Sequence, residues 1–581
     1  MNESVGCLAI VLHSHVPYVL GHGTWPHGSE MLYEAVAETY MPLITMLESL
    51  LDEGVQPKLT VGVTPVVAEQ LADSRFRDWF PKYLQRKIDL AQENEMEFAR
   101  QGHDHLVYLA AQWRERYSWL LRDFCERYGG DLLAAFAGLQ ERGCLDLLTS
   151  AATHGYLPLL YEDASIQAQV RQGIRTYERC FGRRPRGFWL PECAYRPRYI
   201  WQPRANVMRP EPPARLRKGV EEFLSENGID FSIVDSSLLR WGEQPVPVTI
   251  DWENTLGKMW GRIFHVREPR PYAGDKSPYL AYFVGSHFED HPPVAVFIRD
   301  PRSSLQVWSG ERGYPGDHWY LDFHKKHFPG GHRYWRVTDD RQDLGSKQDY
   351  SPEMAADRAR ENAGHFLWMA KQILRHDAPH NARAPVLCAP FDAELFGHWW
   401  FEGVQWLEHV LRWTALDPEI ELVTCSEYLE RYHPATATAL SEGSWGQGGE
   451  HGVWMNEDTE WTWQRVYDAE KDMNDLALRH AHTSAPALRA ILQQAARELL
   501  LLEASDWQFL ITTWSARDYA EARAHGHHND FKRMADMARK YARGECIQDN
   551  EWNYLGHLQD RDRIFPDIDP AWFGAVERAA L

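Results

Sequence analysis

Two carboxylates in this 581-residue chain stand where short apolar runs stop. Glu192 ends the run in "RGFWLPECAYRP" (186–197), and Asp392 ends the run in "APFDAELFGHWWFEG" (389–403). Other runs end in histidine: His13 and His15 in "HSHVPY" (13–18), and His154 in "TSAATHGYLP" (149–158). Glu394, His398, Trp399 and Trp400 follow Asp392 closely. Two acids among histidines and aromatic rings are the equipment for breaking a glycosidic bond. One carboxylate attacks or stabilises the anomeric carbon. The other protonates the leaving oxygen and later deprotonates an acceptor.

Each member has an ordinary explanation when taken alone. A lone acid at a strand end is more often a helix cap or an ion-pair partner. Histidines more often hydrogen-bond than catalyse. The His13–His15 pair also reads as two metal ligands, because alternate strand residues share a face. Tryptophans are most often core. The combination points to chemistry where the members do not.

Such a set needs elements that bring distant residues to one place. Seven apolar or β-branched runs end in polar residues: 7–15, 58–65, 145–154, 186–192, 229–237, 294–300 and 385–394. Continuous apolar runs mean strands covered on both faces, as in a parallel sheet. Seven of them predict a distorted (β/α)7 barrel, whose chemistry lies at the C-terminal ends of the strands. Residues 74–141 are rich in Arg, Glu, Gln and Leu and read as long amphipathic helices inserted between strands. Residues 240–293 form a long segment of Pro, Gly and aromatics, a candidate lid. The strand pattern stops near 430. Residues 1–430 therefore read as the catalytic unit, and 431–581 as an all-helical C-terminal domain that contributes to the cleft.

Composition narrows the partner. The chain holds 25 Trp, 25 Tyr and 23 Phe, many in polar company such as "GSWGQGGEHGVWMNEDTEWTW" (443–463). Rings beside hydrogen-bonding groups suit sugars. A net charge of −21 without a basic tract argues against nucleic acid and anionic membranes. Eight scattered cysteines give neither a zinc ribbon nor a disulfide framework. No apolar run is long enough to span a bilayer, and the first run reads as a strand rather than a leader. A cytoplasmic protein without cofactor or metal is expected.

The stretches "VLHSHVPYVLGHGTWPHGSEMLYEAVAETYMPLI", "LDLLTSAATHGYLPLL", "GFWLPECAYRPRY", "FDAELFGHWWFEG" and "SW…VWMNEDTEWTW" resemble glycoside hydrolase family 57, and within it the α-1,4-glucan branching enzymes. The resemblance runs from about residue 8 to about residue 535. It implies a barrel with a helical insertion and a helical C-terminal domain. It implies Glu192 as nucleophile and Asp392 as acid/base, working on an α-1,4-glucan such as amylose or glycogen. It implies glucan-binding roles for His13, His154, Trp308, Trp445, Trp454 and Asp506, and places Trp25 in a matching stretch; His15, His398 and Trp400 are further binding candidates from their places at the strand ends. Tyr279 or Tyr282 would be the tyrosine that closes over the donor. The chain departs from the pattern at Met31, at "DSSL" (235–238), and in the greater length of the segment after Asp235. Alternatives are an amylase-like hydrolase or a 4-α-glucanotransferase of the same family, a metal-dependent polysaccharide deacetylase, and a glucan-binding protein without activity.

Overall fold

The computed structural model describes residues 4–203, 214–239, 276–285, 291–310, 313–339, 343–378, 384–574 and 576. Seven parallel strands form its centre: β1 (Gly6–Ser14), β2 (Leu59–Val63), β3 (Leu145–Ser150), β4 (Gly187–Trp189), β5 (Phe231–Val234), β6 (Ala295–Ile298) and β7 (Val386–Asp392). Six fall within the apolar runs, and β1 begins one residue before its run. They pair in chain order from β1 to β6, and β7 returns to lie against β1. A parallel bridge between Arg299 and Cys388 joins the far edge to β7, so the sheet curls on itself. Burial is continuous along β1 to β6 and breaks in β7 only at its last residue, Asp392. That is the pattern of strands with helices outside and packed side chains inside.

Register decides what meets at the mouth. His13 on β1 lies opposite Asp392 on β7 and Gly62 on β2. Ser150 on β3 lies opposite Trp189 on β4, and its hydroxyl donates to the Trp189 carbonyl at 2.8 Å. His13 and Asp392 therefore stand level at the ends of adjacent strands, and His15, His154 and Glu192 lie just past the ends of theirs.

The insertion is helical, as the composition predicts. Helices α1 (Ser74–Gln101) and α2 (Asp104–Arg122) pack against each other. Phe76, Phe80, Leu84, Ala91 and Phe98 line one face of α1, and Leu106, Leu109, Trp113, Tyr117 and Leu120 line one face of α2, at helical spacing. Asp73 caps α1 by accepting from the Arg75 amide, and Gly102 ends it at φ 73°, where a side chain would be strained.

The sheet continues past the expected boundary at 430. Ala437–Thr438 pairs with Tyr282–Val284, which lies antiparallel to β6. Beyond it come helices α3 (Glu460–His480), α4 (Pro486–Leu502), α5 (Asp506–Thr513), α6 (Arg517–Ala542) and α7 (Asp549–Arg561). These helices dock on the barrel through polar anchors as well as apolar faces. Glu470 accepts from the Tyr161 amide at 3.0 Å, Tyr467 donates to the Leu159 carbonyl at 2.9 Å, and Gln169 donates to Glu503 at 2.8 Å.

Candidate active site

Glu192 sits on a tight turn, Pro191–Cys193, directly after β4. Its backbone is left-handed (φ 60°), as is that of Cys193 (φ 48°) and of His154 (φ 58°). Non-glycine residues hold that conformation at a cost of about 1–3 kcal/mol each, and the surroundings must enforce it. Here the enforcing piece is the 443–459 segment. Tyr195 and Gly443 exchange two backbone hydrogen bonds, at 2.8 and 3.0 Å. The Trp445 amide then donates to the Glu192 carbonyl at 3.1 Å, and its indole Nε1 donates to Glu192 Oε2 at 2.7 Å. The first bond pins the Glu192 backbone and the second aims its carboxylate.

Asp392 ends β7 beside His13. Burial, then the negative charges of Glu394 and Glu192, lift its carboxyl well above the usual range, with Arg299 opposing. These surroundings favour the protonated form of Asp392. Burial also raises Glu192, to about 7, against the indole hydrogen bond of Trp445 and the charge of His15. Two acids of unequal environment divide into a proton holder and a group able to ionise near neutrality.

The histidines form a stack. His13 lies on Trp189 (ring centroids 4.4 Å, planes 10° apart), and His154 lies on His15 (4.0 Å, 18°). Nε2 of His13 and Nε2 of His154 are hydrogen-bonded at 2.9 Å, so one ring donates and the other accepts. Burial drives both well below the ordinary histidine range, and the positive field of His15 adds to it. His154 is fixed further by Ser505, whose Oγ meets Nδ1 at 2.9 Å and whose amide donates to the His154 carbonyl at 3.2 Å. His15 has the opposite character. Burial opposes its charge, but Asp506, with both oxygens 3.0 Å from Nε2, outweighs burial, and Glu394 and Glu192 help to raise it. The His15 amide donates to Glu394, which also accepts from Tyr40.

Seven expected residues thus converge: His13, His15, His154, Glu192, Asp392, Trp445 and Asp506. Trp308 joins them as a half-buried ring between Trp399 (6.1 Å) and Trp445 (6.5 Å). His398 neighbours Trp399 and bonds Glu38, an acid it shares with Arg333. Trp25 is 69% exposed on the β1–β2 connection.

The others lie elsewhere. Trp400 is buried among Tyr320, Phe396 and Trp406. Trp454 is buried against Tyr156 at 4.5 Å and supports the segment that carries Trp445 instead of facing a sugar. Tyr279 and Tyr282 are wall residues rather than a lid. The Tyr279 hydroxyl donates to Asp300 at 3.0 Å, and the Tyr282 hydroxyl donates to the Ser277 carbonyl at 2.9 Å. Most of the long segment expected to cover the site, 240–275 and 286–290, lies outside the described residues.

Two contributors escape a reading of the sequence. Ser505 is one letter before Asp506 with no signal of its own. Arg299 is next to last in the "VAVFIRD" run; its guanidinium lies 5.1 Å from the Trp445 ring and pairs with Asp235 at 3.3 Å. A lone cation at a strand end among acids is the signal that could have found it. The metal reading of His13 and His15 gains no support: among the described residues, neither belongs to a group of three donors gathered at ligand distance.

One consequence is measurable. Trp445→Phe keeps the ring and deletes the donor that favours the charged form of Glu192. The acid limb of kcat/KM, expected near pH 7, should move upward by roughly one unit, the size of one hydrogen bond to a charged group. An unmoved limb would mean that Glu192 does not set it.

The chain matches known proteins along most of its length. The family model "Glycosyl hydrolase family 57" matches residues 9–441, and "1,4-alpha-glucan branching enzyme, C-terminal" matches residues 465–573. The 1,4-alpha-glucan branching enzyme of Thermococcus kodakarensis is 39% identical over 565 residues, 97% of this chain and 78% of that protein. The crystal structure of a family 57 branching enzyme from Pyrococcus horikoshii superposes with a TM-score of 0.85 at 37% identity, covering 99% of this chain and 98% of that one. An α-amylase structure from Thermotoga maritima gives 0.78 at 28% identity, with both chains covered in full.

Proposed function

The chain belongs to glycosyl hydrolase family 57, and from that premise we propose that it is a 1,4-α-glucan branching enzyme whose chemistry runs through Glu192 and Asp392. Glu192 attacks the anomeric carbon of an α-1,4 bond while Asp392 gives its proton to the departing chain. The glucosyl-enzyme then meets the 6-hydroxyl of a second chain, Asp392 takes that proton back, and an α-1,6 branch forms with the anomeric configuration retained. The raised carboxyl of Asp392 suits a proton donor, and the indole bond to Glu192 suits a nucleophile that must be charged and aimed.

One observation carries this reading furthest. Residues within the stretch matching the branching-enzyme C-terminal model, Ser505 and Asp506, reach into the barrel mouth and hold His154 and His15. The C-terminal helices are part of the site rather than an appendage. Transfer beats water only when the acceptor is held and water is kept out. The aromatic wall of Trp308, Trp399 and Trp445 suits that task.

The partner on this reading is an α-1,4-glucan polymer, and the acidic surface argues against nucleic acid. Among the described residues, no helix is long and apolar enough to cross a membrane. All eight cysteines are free, which fits the cytoplasm. The test is incubation with amylose, followed by counting α-1,6 linkages and new reducing ends. Branches with few reducing ends are expected. Reducing ends without branches would overturn the reading in favour of hydrolysis.

A further inference from the structure

Trp514 stands apart from the tryptophans already described. It is 63% exposed, at the C-terminal cap of α5, with its backbone left-handed (φ 58°). For a bulky side chain that conformation is an outlier, sustained only where neighbours impose it. One ring face is backed by the Arg517 guanidinium at 4.5 Å. Arg517 is itself fixed by Glu521 at 2.8 Å and Asp458 at 3.3 Å. The ring is held in place yet open to solvent.

Its position ties it to the cleft. Helix α5 begins at Asp506, which grips His15 at the barrel mouth, and Trp514 caps its far end, eight residues later and about 12 Å away. The end of the helix is also bound to the segment that carries Trp445. Thr512 donates to the Val453 carbonyl at 2.7 Å and accepts from Asn456 at 2.9 Å. The β1–β2 connection comes to the same region, where His27 meets the Tyr519 ring at 5.7 Å and the neighbouring Trp25 is exposed. A fixed, half-open aromatic ring on the margin of a sugar-binding cleft presents a flat apolar face of the kind that stacks on pyranose C–H groups.

We propose that Trp514 is a stacking platform for an α-1,4-glucan chain, a subsite beyond the reaction centre that holds the length of a polymer but not a short oligosaccharide. The proposal rests on the α-glucan reading of the cleft. It follows that Trp514 acts on affinity for long chains and leaves the chemistry alone.

The experiment uses the full chain. Trp514→Ala is compared with wild type on amylose and on a short chromogenic maltooligoside that reaches only the reaction centre. KM for amylose should rise about tenfold, the scale of 1.4 kcal/mol for one stacked ring, with kcat and the short-substrate kinetics unchanged. Trp514→Phe should restore most of the loss. Binding is read separately by retardation in amylose-containing native gels, with Glu192→Gln to prevent turnover. Adding Trp514→Ala should abolish most of the retardation. An unchanged amylose KM overturns the proposal, as does a parallel loss on the short substrate, which would mark a structural role. Unaltered gel retardation with a changed oligomeric state would also overturn it and assign the ring to contact with a second copy. If wild type makes no branches but retardation still depends on Trp514, the branching reading fails and the platform stands.

Discussion

Glu192→Gln should lose branching activity by at least about 10,000-fold, because the isosteric amide cannot form the glucosyl ester. The same protein should be more stable than wild type, and the sign follows from its titration. The folded state raises the Glu192 carboxyl from 4.5 to about 7. Between those values the unfolded chain has released the proton while the folded chain still holds it. Wild-type stability therefore falls as pH rises through that window and stays at the lower level above it. Glutamine carries no such proton. The gain in Tm should be absent near pH 4.5 and fullest above pH 7. The side chain keeps 16% exposure toward the cleft, which moderates the size of the gain but not its direction. Thermal melts at the two pH values, beside branching assays, check both halves. A variant that is inactive but no more stable at pH 8 would show that Glu192 is not under the burial strain described.

Ending the chain after Glu442 should abolish activity altogether and leave an insoluble barrel. The cut removes Trp445, Ser505 and Asp506 and strips the cover from Tyr156, Leu159 and Tyr161. A large apolar patch exposed in this way drives aggregation. Insolubility alone would not reveal a part in the chemistry, so a folded companion is needed. Asp506→Ala should keep its circular dichroism spectrum and melt cooperatively, yet lose about 10- to 100-fold in kcat/KM, the scale of a displaced active-site ring. A soluble, fully active truncation would refute the shared site.

The barrel is legible in the sequence because parallel strands buried on both faces must be apolar throughout and must stop where water begins. The seven runs follow from that rule, and so do the polar residues at their ends, Glu192, Asp392, His13 and His154 among them. The helical insertion is legible from the spacing of Phe76, Phe80, Leu84 and Phe98. The tryptophans are harder. Trp445 and Trp454 share one polar stretch, but one points at Glu192 and the other is foundation under Tyr156. Composition around a ring says that polar groups are near, not which face they take. Tyr279 and Tyr282 show the same limit, since each hydroxyl is satisfied within the wall. Ser505 is invisible because its role comes from a docking 351 residues distant in sequence.

That separation has a consequence for how the enzyme is made. Glu192 is synthesised in the first third of the chain, but the indole that aims it and the serine and aspartate that set its histidines are translated much later. A nascent barrel on the ribosome carries both acids without a working site. On the proposed function, a chain that stops early is expected to be silent, instead of a loose hydrolase released beside its polymer. On that expectation, catalytic competence arrives as a certificate of completed synthesis.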